Sequence, residues 1–304
     1  MDTLTAHLMS ALVRLFPVSA PSSAKGVQMQ LSIRSLIQHT QLLLSYLSCS
    51  HTLPPGTGQV AVVLAEKFKH VDGVDASATM LANAIQKANI TYHVTKGEDL
   101  SAIPNSSVDV LTVAQAMHWF HHPTFFSEVK RVLKPRGTFA AVGYSFVIFE
   151  DYPRATRRIY DLGDQPDQLG TMWDHGRLVL DNLYKSIDVP LQNVERHYFP
   201  SHIKSKVQAP AAYDAAGDTA TVPAAAAAAA AALPPVMSER VTMKHFRNYI
   251  KTWSSYKNYC EKYPTRPDIV DQTIDAILEE ENLKEEDEVN ITWPTVVILG
   301  ENDA

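Results

Sequence analysis

Between residues 56 and 144 short apolar runs alternate with stretches of helical periodicity, and this alternation constrains the fold more than any other feature. Strands fit residues 71–74, 92–95, 108–113 and 138–144, with a further one at 194–199. The segments 60–68, 78–88, 124–133 and 153–162 place apolar residues at helical spacing. Strands that alternate with helices of about ten residues run parallel, because each helix carries the chain back across a face of the sheet. The pattern predicts a parallel sheet wound with helices on both faces. Ligands bind such sheets at the carboxyl ends of the strands.

Polar residues fall where those strands should end. Gly56-Thr57-Gly58 precedes the first helical pattern, and a Gly-x-Gly turn at a helix start offers free N–H groups and close backbone approach. Asp75 follows the second strand and suits the two hydrogen bonds of a ribose diol; it also suits a cap on the helix near Ser77. Glu98 or Asp99, after the third strand, suits an adenine amino group, and the residues alone do not choose between them. Ala114 and Gln115 end the fourth strand and should line the pocket. His118-Trp119 follow, and Tyr144 ends the fifth strand. Lys134-Pro135-Arg136-Gly137 reads as a helix stop and a turn.

Taken in order, these residues resemble the class I S-adenosylmethionine-dependent methyltransferases, and among them the fungal branch similar to trans-aconitate methyltransferase. The likeness rests on GTGQVA (56–61), VDGVDASATML (71–81), GEDL (97–100), VDVLTVAQAMHWF (108–120) and EVKRVLKPRGTFA (128–140), with TWSSY (252–256) and DEVNITWPTVVIL (287–299) from the C-terminal part. The resemblance implies S-adenosylmethionine held by Gly56, Thr57, Gly58, Asp75, Glu98, Asp99, Ala114 and Gln115. It implies a small-molecule acceptor near Trp119, Tyr144, Trp253 and Tyr256, possessing a carboxyl group or drawn from fungal secondary metabolism. A carboxylate needs no base, whereas an alcohol or amine acceptor makes His118 the first candidate base. His118 reads equally as a satisfied polar contact and Trp119 as core. Trp253 and Tyr256, three apart on an expected helix, should share a face.

The first strand departs from the family pattern. Where the family has an acid, a glycine and a small residue before the last two glycines, this chain has Thr52, Pro54 and Pro55. Proline has no N–H and cannot take positive φ. The first strand and N-terminal region therefore read as degenerate, and a fold without activity that acts through protein contacts is the alternative reading. Residues 1–55 have no acid after Asp2. They suggest helices over 4–16 and 31–47, with a weak likeness to a transit peptide or a wrongly predicted gene start.

The remaining features exclude more than they assign. A net charge of −6 argues against nucleic acid as a partner, and no apolar run is long enough to span a membrane. Two cysteines make neither a disulfide scaffold nor a zinc site, and the adjacent His121 and His122 lack the ligands to complete a metal site. A nicotinamide cofactor is disfavoured because the chain lacks Gly-x-Gly-x-x-Gly. Residues 201–236 contain nine consecutive alanines bounded by prolines and read as a low-complexity insertion. Helical patterns resume over 241–263 and 267–281, and a final strand is expected over 291–299. The reading is a cytoplasmic α/β enzyme with a Rossmann-like, doubly wound, mostly parallel sheet and a helical cap. Its parts are a divergent segment (1–55), a cofactor-binding core (56–200), the insertion, and cap plus final strand (237–304).

Overall fold

A computed structural model of the chain describes residues 43–47, 58–174, 176–199 and 237–303. Gly56, Thr57, the Thr52–Pro55 segment, the helix expected over 4–16 and the alanine-rich insertion lie outside the described residues.

Seven strands form the main sheet. They are β1 (Leu43–Leu47), β2 (Val71–Asp75), β3 (Ile90–Val94), β4 (Val108–Ala114), β5 (Leu133–Tyr144), β7 (Gln192–Phe199) and β10 (Thr295–Glu301), arranged β3-β2-β1-β4-β5-β10-β7. The first five in that order are parallel, and β10 runs antiparallel to both β5 and β7. The crossovers are α1 (Gln59–Leu64), α2 (Ala78–Ala82) and α3 (His122–Val132). Chain order reverses between β1 and β4, which opens a crevice at their carboxyl ends. The doubly wound, mostly parallel sheet is the one the alternation predicts. Apolar side chains fill both faces: Val60, Leu64, Val71, Ala140, Val142 and Val297 pack on one side, and Val74, Leu111, Val113, Phe125, Phe139 and Ile298 on the other. The β10 sequence TVVIL, apolar without alternation, suits a strand covered on both faces.

The cap is not purely helical. Strands β6 (Ile148–Phe149), β8 (Ser238–Thr242) and β9 (Glu288–Thr292) form an antiparallel sheet in the order β6-β9-β8. Around it pack α4 (Pro153–Asp164), α6 (Met243–Ile250), α7 (Ser254–Lys262) and α8 (Ile269–Glu281), while the short α5 (Arg177–Asp181) lies beside β5. Arg247 on α6 ties this layer to α8 and the following loop by bonding Asp271, Asp275 and Glu285.

Several local expectations need correction. Residues 43–47, expected to end a helix, form β1 because β2 and β4 both pair with them. Helix α2 stops at Ala82, well short of residue 88, since Asn83 takes the Thr79 carbonyl, Gln86 that of Ala84 and Tyr92 that of Ile85. The Asn89 amide likewise claims the Ala65 and Phe68 carbonyls beyond α1. The Lys134–Gly137 turn is part of β5: Leu133 already pairs with Val108, and an irregularity in the ladder absorbs the kink at Arg136, φ 61°. Residues 238–242, of which 241 and 242 were expected to begin a helical pattern, are β8. The single final strand is two strands in two sheets, divided at Trp293-Pro294, where proline has no N–H to continue a ladder.

Candidate functional site

Asp75 is the last residue of β2, beside the crevice. Its Oδ1 accepts the Ser77 N–H at 2.7 Å, while Ser77 caps α2 through Met80 N–H. Burial raises the Asp75 pKa against the opposing pull of the Ser77 bond. Its second oxygen has no partner among the hydrogen bonds of the described residues, which leaves it for a ligand diol.

Gly58 opens α1 with φ +74°, the left-handed turn expected of the loop. A methyl group there would meet the Tyr92 hydroxyl at 2.2 Å, so packing as well as loop conformation demands glycine. The GEDL and HWF segments meet through the same kind of contact. Phe120 lies where a side chain on Gly97 would be, and Glu98 Oε1 accepts His121 N–H at 2.8 Å at the start of α3. Glu98 is half-buried and keeps its other oxygen. Asp99 is exposed, and both its oxygens are used, by Ser101 N–H and the Thr95 hydroxyl. Hydrogen bonds from Ser101 hold its carboxyl below the usual range.

At the carboxyl end of β4, Ala114 is half-buried, and Gln115 turns into the left-handed region at φ 53°. The Gln115 side chain clamps β5, donating to the Tyr144 carbonyl at 3.0 Å and accepting its N–H at 2.8 Å. Gln115 and Tyr144 face a cavity of about 70 Å³ that His118, Trp119, Trp173, Arg177, Tyr249 and Trp253 also line, whereas Ala114 does not. Four expected site residues, Gln115, His118, Trp119 and Tyr144, thus meet there, joined by Trp253 from the cap. Tyr256 does not line this cavity: Trp253 precedes α7 instead of sharing its face, and the Tyr256 hydroxyl donates to Asp268 at 2.5 Å. His121 and His122 bond separately, to the Thr124 hydroxyl and the Met117 carbonyl. No set of His, Cys, Asp and Glu among the described residues could hold a metal ion.

His118 sits on a short 3₁₀ turn, Met117–Trp119. Its Nδ1 lies 3.3 Å from the hydroxyl of the fully buried Tyr184. Desolvation, reinforced by the positive charge of Arg177, holds its pKa down to about 3. The imidazole is neutral at physiological pH and a very weak base.

Sequence reasoning missed Arg177, Trp173 and Tyr184. The Arg177 guanidinium lies against both the Phe146 and Trp173 rings, 4.0 and 4.1 Å from their centroids, in the angle that the two edge-packed rings make. Its Nε and Nη2 grip Asp181 at 2.9 and 2.8 Å. The one available signal was Gly176. It takes φ +90°, and a methyl group there would collide with the His118 carbonyl at 2.1 Å, so a glycine before a helical turn marked a close approach.

Residues 53–141 match the family described as a methyltransferase domain. That match and the relatives that follow make the chain similar to the class I S-adenosylmethionine-dependent methyltransferases. It is 29% identical over 232 residues to a Saccharomyces cerevisiae protein named as the probable S-adenosylmethionine-dependent methyltransferase CRG1, covering 74% of this chain and 75% of that one. A Dictyostelium discoideum protein assigned as a methyltransferase is 33% identical over 146 residues, 46% of this methyltransferase and 53% of the relative. The fold agrees with a solved structure assigned as a type II methyltransferase from Anaeromyxobacter dehalogenans, at TM-score 0.60 and 22% identity over 90% of this chain and 97% of that one. No helix of this methyltransferase, among the described residues, is long and apolar enough to cross a membrane.

Proposed function

We propose that this methyltransferase transfers the methyl group of S-adenosylmethionine to the carboxylate of a small molecule, a carboxylic acid or a carboxyl-bearing fungal secondary metabolite. The residues at the crevice suit the cofactor. Asp75 offers an unused oxygen to the ribose, and Glu98, with one oxygen left over, is a better adenine acceptor than Asp99. Ala114 and Gln115 form the wall at the end of β4, and Gly58, at the head of α1, closes the Gly56-Thr57-Gly58 sequence assigned to the cofactor loop. The acceptor is assigned to the cavity between Gln115, Tyr144 and the cap, with Trp119 and Trp253 as apolar walls.

The neutral, feebly basic His118 in that cavity carries the acceptor assignment. A phenol would have to give its proton to an imidazole whose pKa burial and the Arg177 charge hold far below the phenol's own, so that transfer is steeply uphill. A carboxylate is ionised already and needs no base. When bound, the cofactor would supply an electrophilic methyl group on a sulfonium, which a carboxylate oxygen could take, leaving the thioether, with no proton moved. The chain's part is to hold the oxygen in line and exclude water, which the aromatic walls and the cap favour.

The test is methyl transfer from radiolabelled S-adenosylmethionine to matched panels of small carboxylic acids, phenols and amines. Base-labile label on the acids is expected. Transfer to phenols or amines with none to acids would overturn the reading.

A further inference from the structure

His118 can present either a proton or a lone pair to the cavity, and its choice is dictated from outside the cavity. Of its two ring nitrogens, Nδ1 faces Tyr184 Oη at 3.3 Å. The described residues supply no hydrogen-bond partner to Nε2, so that nitrogen is left for a ligand. Neutral imidazole carries one proton, and the group bonded to one nitrogen decides where it resides.

Tyr184 has the features of a group built to make that decision. Its side chain is fully buried. Its ring occupies the space on β5 that a side chain on Gly143 would otherwise fill, with ring atoms 2.4 and 2.7 Å from the site of a Cβ. Leu183 and Tyr184 both adopt the left-handed region, φ 49° and 58°, a costly conformation for two successive residues with side chains. Arg196 on β7 holds that loop, donating to the Tyr184 carbonyl at 3.0 Å and the Ile187 carbonyl at 2.6 Å. Four separate devices therefore fix one hydroxyl against one nitrogen.

The direction of the bond follows from counting protons. His118 Nδ1 is the only acceptor that the described residues place against the Tyr184 hydroxyl. Were Nδ1 to donate instead, the phenolic O–H would be buried without an acceptor, which costs far more than an exchange of tautomer. Burial keeps the phenol protonated. The hydroxyl therefore donates to Nδ1, and the imidazole proton lies on Nε2.

We propose that Tyr184 is a positioning residue that locks His118 as the Nε2–H tautomer, so that the imidazole gives the cavity a hydrogen-bond donor, and that this donor acts with Arg177 to recognise the acceptor's carboxylate. This rests on reading the cavity as the acceptor site. Charged and titratable groups lining that cavity with the imidazole are Arg177, with Asp181 behind it, Asp174, Tyr144 and Tyr249. Arg177 directs Nε and Nη2 at Asp181, which leaves Nη1, and its packing against the Phe146 and Trp173 rings keeps the fork rigid. Both groups are then donors, a pairing that suits an anion and opposes binding of a cationic amine.

The experiment is long-range ¹H–¹⁵N correlation spectroscopy of the histidine rings in the full-length, ligand-free protein between pH 6 and 8. Wild-type His118, assigned by the loss of its signals in His118→Gln, should show protonated Nε2 and unprotonated Nδ1 throughout. Tyr184→Phe should move the proton toward Nδ1 or yield a mixture. A protonated Nδ1 in the wild type overturns the proposal without recourse to the variant, and so does an unchanged tautomer in a folded Tyr184→Phe. Benzoate, titrated into the wild type with S-adenosylhomocysteine present, should shift the Nε2–H resonance, and His118→Gln, which retains an N–H donor, should bind it within about tenfold of wild type. An unmoved resonance at saturating benzoate overturns the carboxylate contact. The wrong tautomer in a protein that methylates acids sinks this inference alone; the expected tautomer in a protein that methylates none sinks the acceptor assignment alone.

Discussion

Exchanging Asp75 for asparagine should move cofactor binding and stability in opposite directions. Asp75 bonds Ser77 N–H through Oδ1, and desolvation raises its pKa more than that bond lowers it. A carboxyl group whose folded pKa is raised contributes stability below its unfolded pKa and loses that contribution as pH rises through the folded value. At neutral pH the ionised side chain is thus a cost to the ligand-free fold, and asparagine, which still accepts from Ser77, should raise the melting temperature. Binding should respond the other way. The ribose loses a hydrogen-bond partner of full charge, typically about 1.5–3 kcal/mol, so S-adenosylhomocysteine should bind roughly tenfold to more than a hundredfold more weakly. Calorimetric titration measures the affinity, and thermal melts of ligand-free protein measure the stability. Wild-type affinity should also fall as the pH drops through the raised carboxyl pKa, and the asparagine variant should lack that component. Equal affinity in the two proteins refutes the ribose contact. A lower melting temperature in the variant refutes the desolvation argument.

Three further outcomes follow from contacts in the structure. Gly143→Ala places a methyl group 2.4 Å from the Tyr184 ring, and such overpacking costs about 1–3 kcal/mol, a drop of several degrees in melting temperature by scanning calorimetry. Glu98→Ala removes the acceptor of His121 N–H at the start of α3; it should cost about 0.5–2 kcal/mol in denaturant unfolding and weaken S-adenosylhomocysteine, whereas Asp99→Ala should leave that affinity within about twofold of wild type. Arg247→Ala strips three carboxylates of one partner, including Glu285, one of whose oxygens already lacks a hydrogen bond; urea unfolding should show a loss of about 2–3 kcal/mol.

Much of the fold was legible because its signals are local. The apolar runs that became β2, β4 and β5, the Gly58 turn ahead of an apolar helix and the acid at the end of β2 each lie within a few residues of one another. The Gln115, His118, Trp119 and Tyr144 positions were legible too, since strand ends in a parallel sheet converge on one edge. Where neighbours across space competed for hydrogen bonds, sequence patterns failed. Asn83 takes a carbonyl of α2, Gln86 and Tyr92 take those just beyond its end, and together they cut the helix short, while β2 with β4 drew residues 43–47 into the sheet from a segment whose own pattern suits a helix equally well.

Sequence by itself determined the α/β alternation, the helix and strand periods and the candidate ligand residues on the strand ends, because period and turn chemistry act between near neighbours. Tertiary structure alone decided the chemistry of the cavity. Arg177 gains its place from stacking on Phe146 and its bond to Asp181, and His118 has its basicity removed by burial beside that charge. The hydroxyl that orients His118 comes from Tyr184, 66 residues further along the chain. A group's pKa and tautomer depend on what surrounds it in space, and no spacing of residues along the chain encodes that.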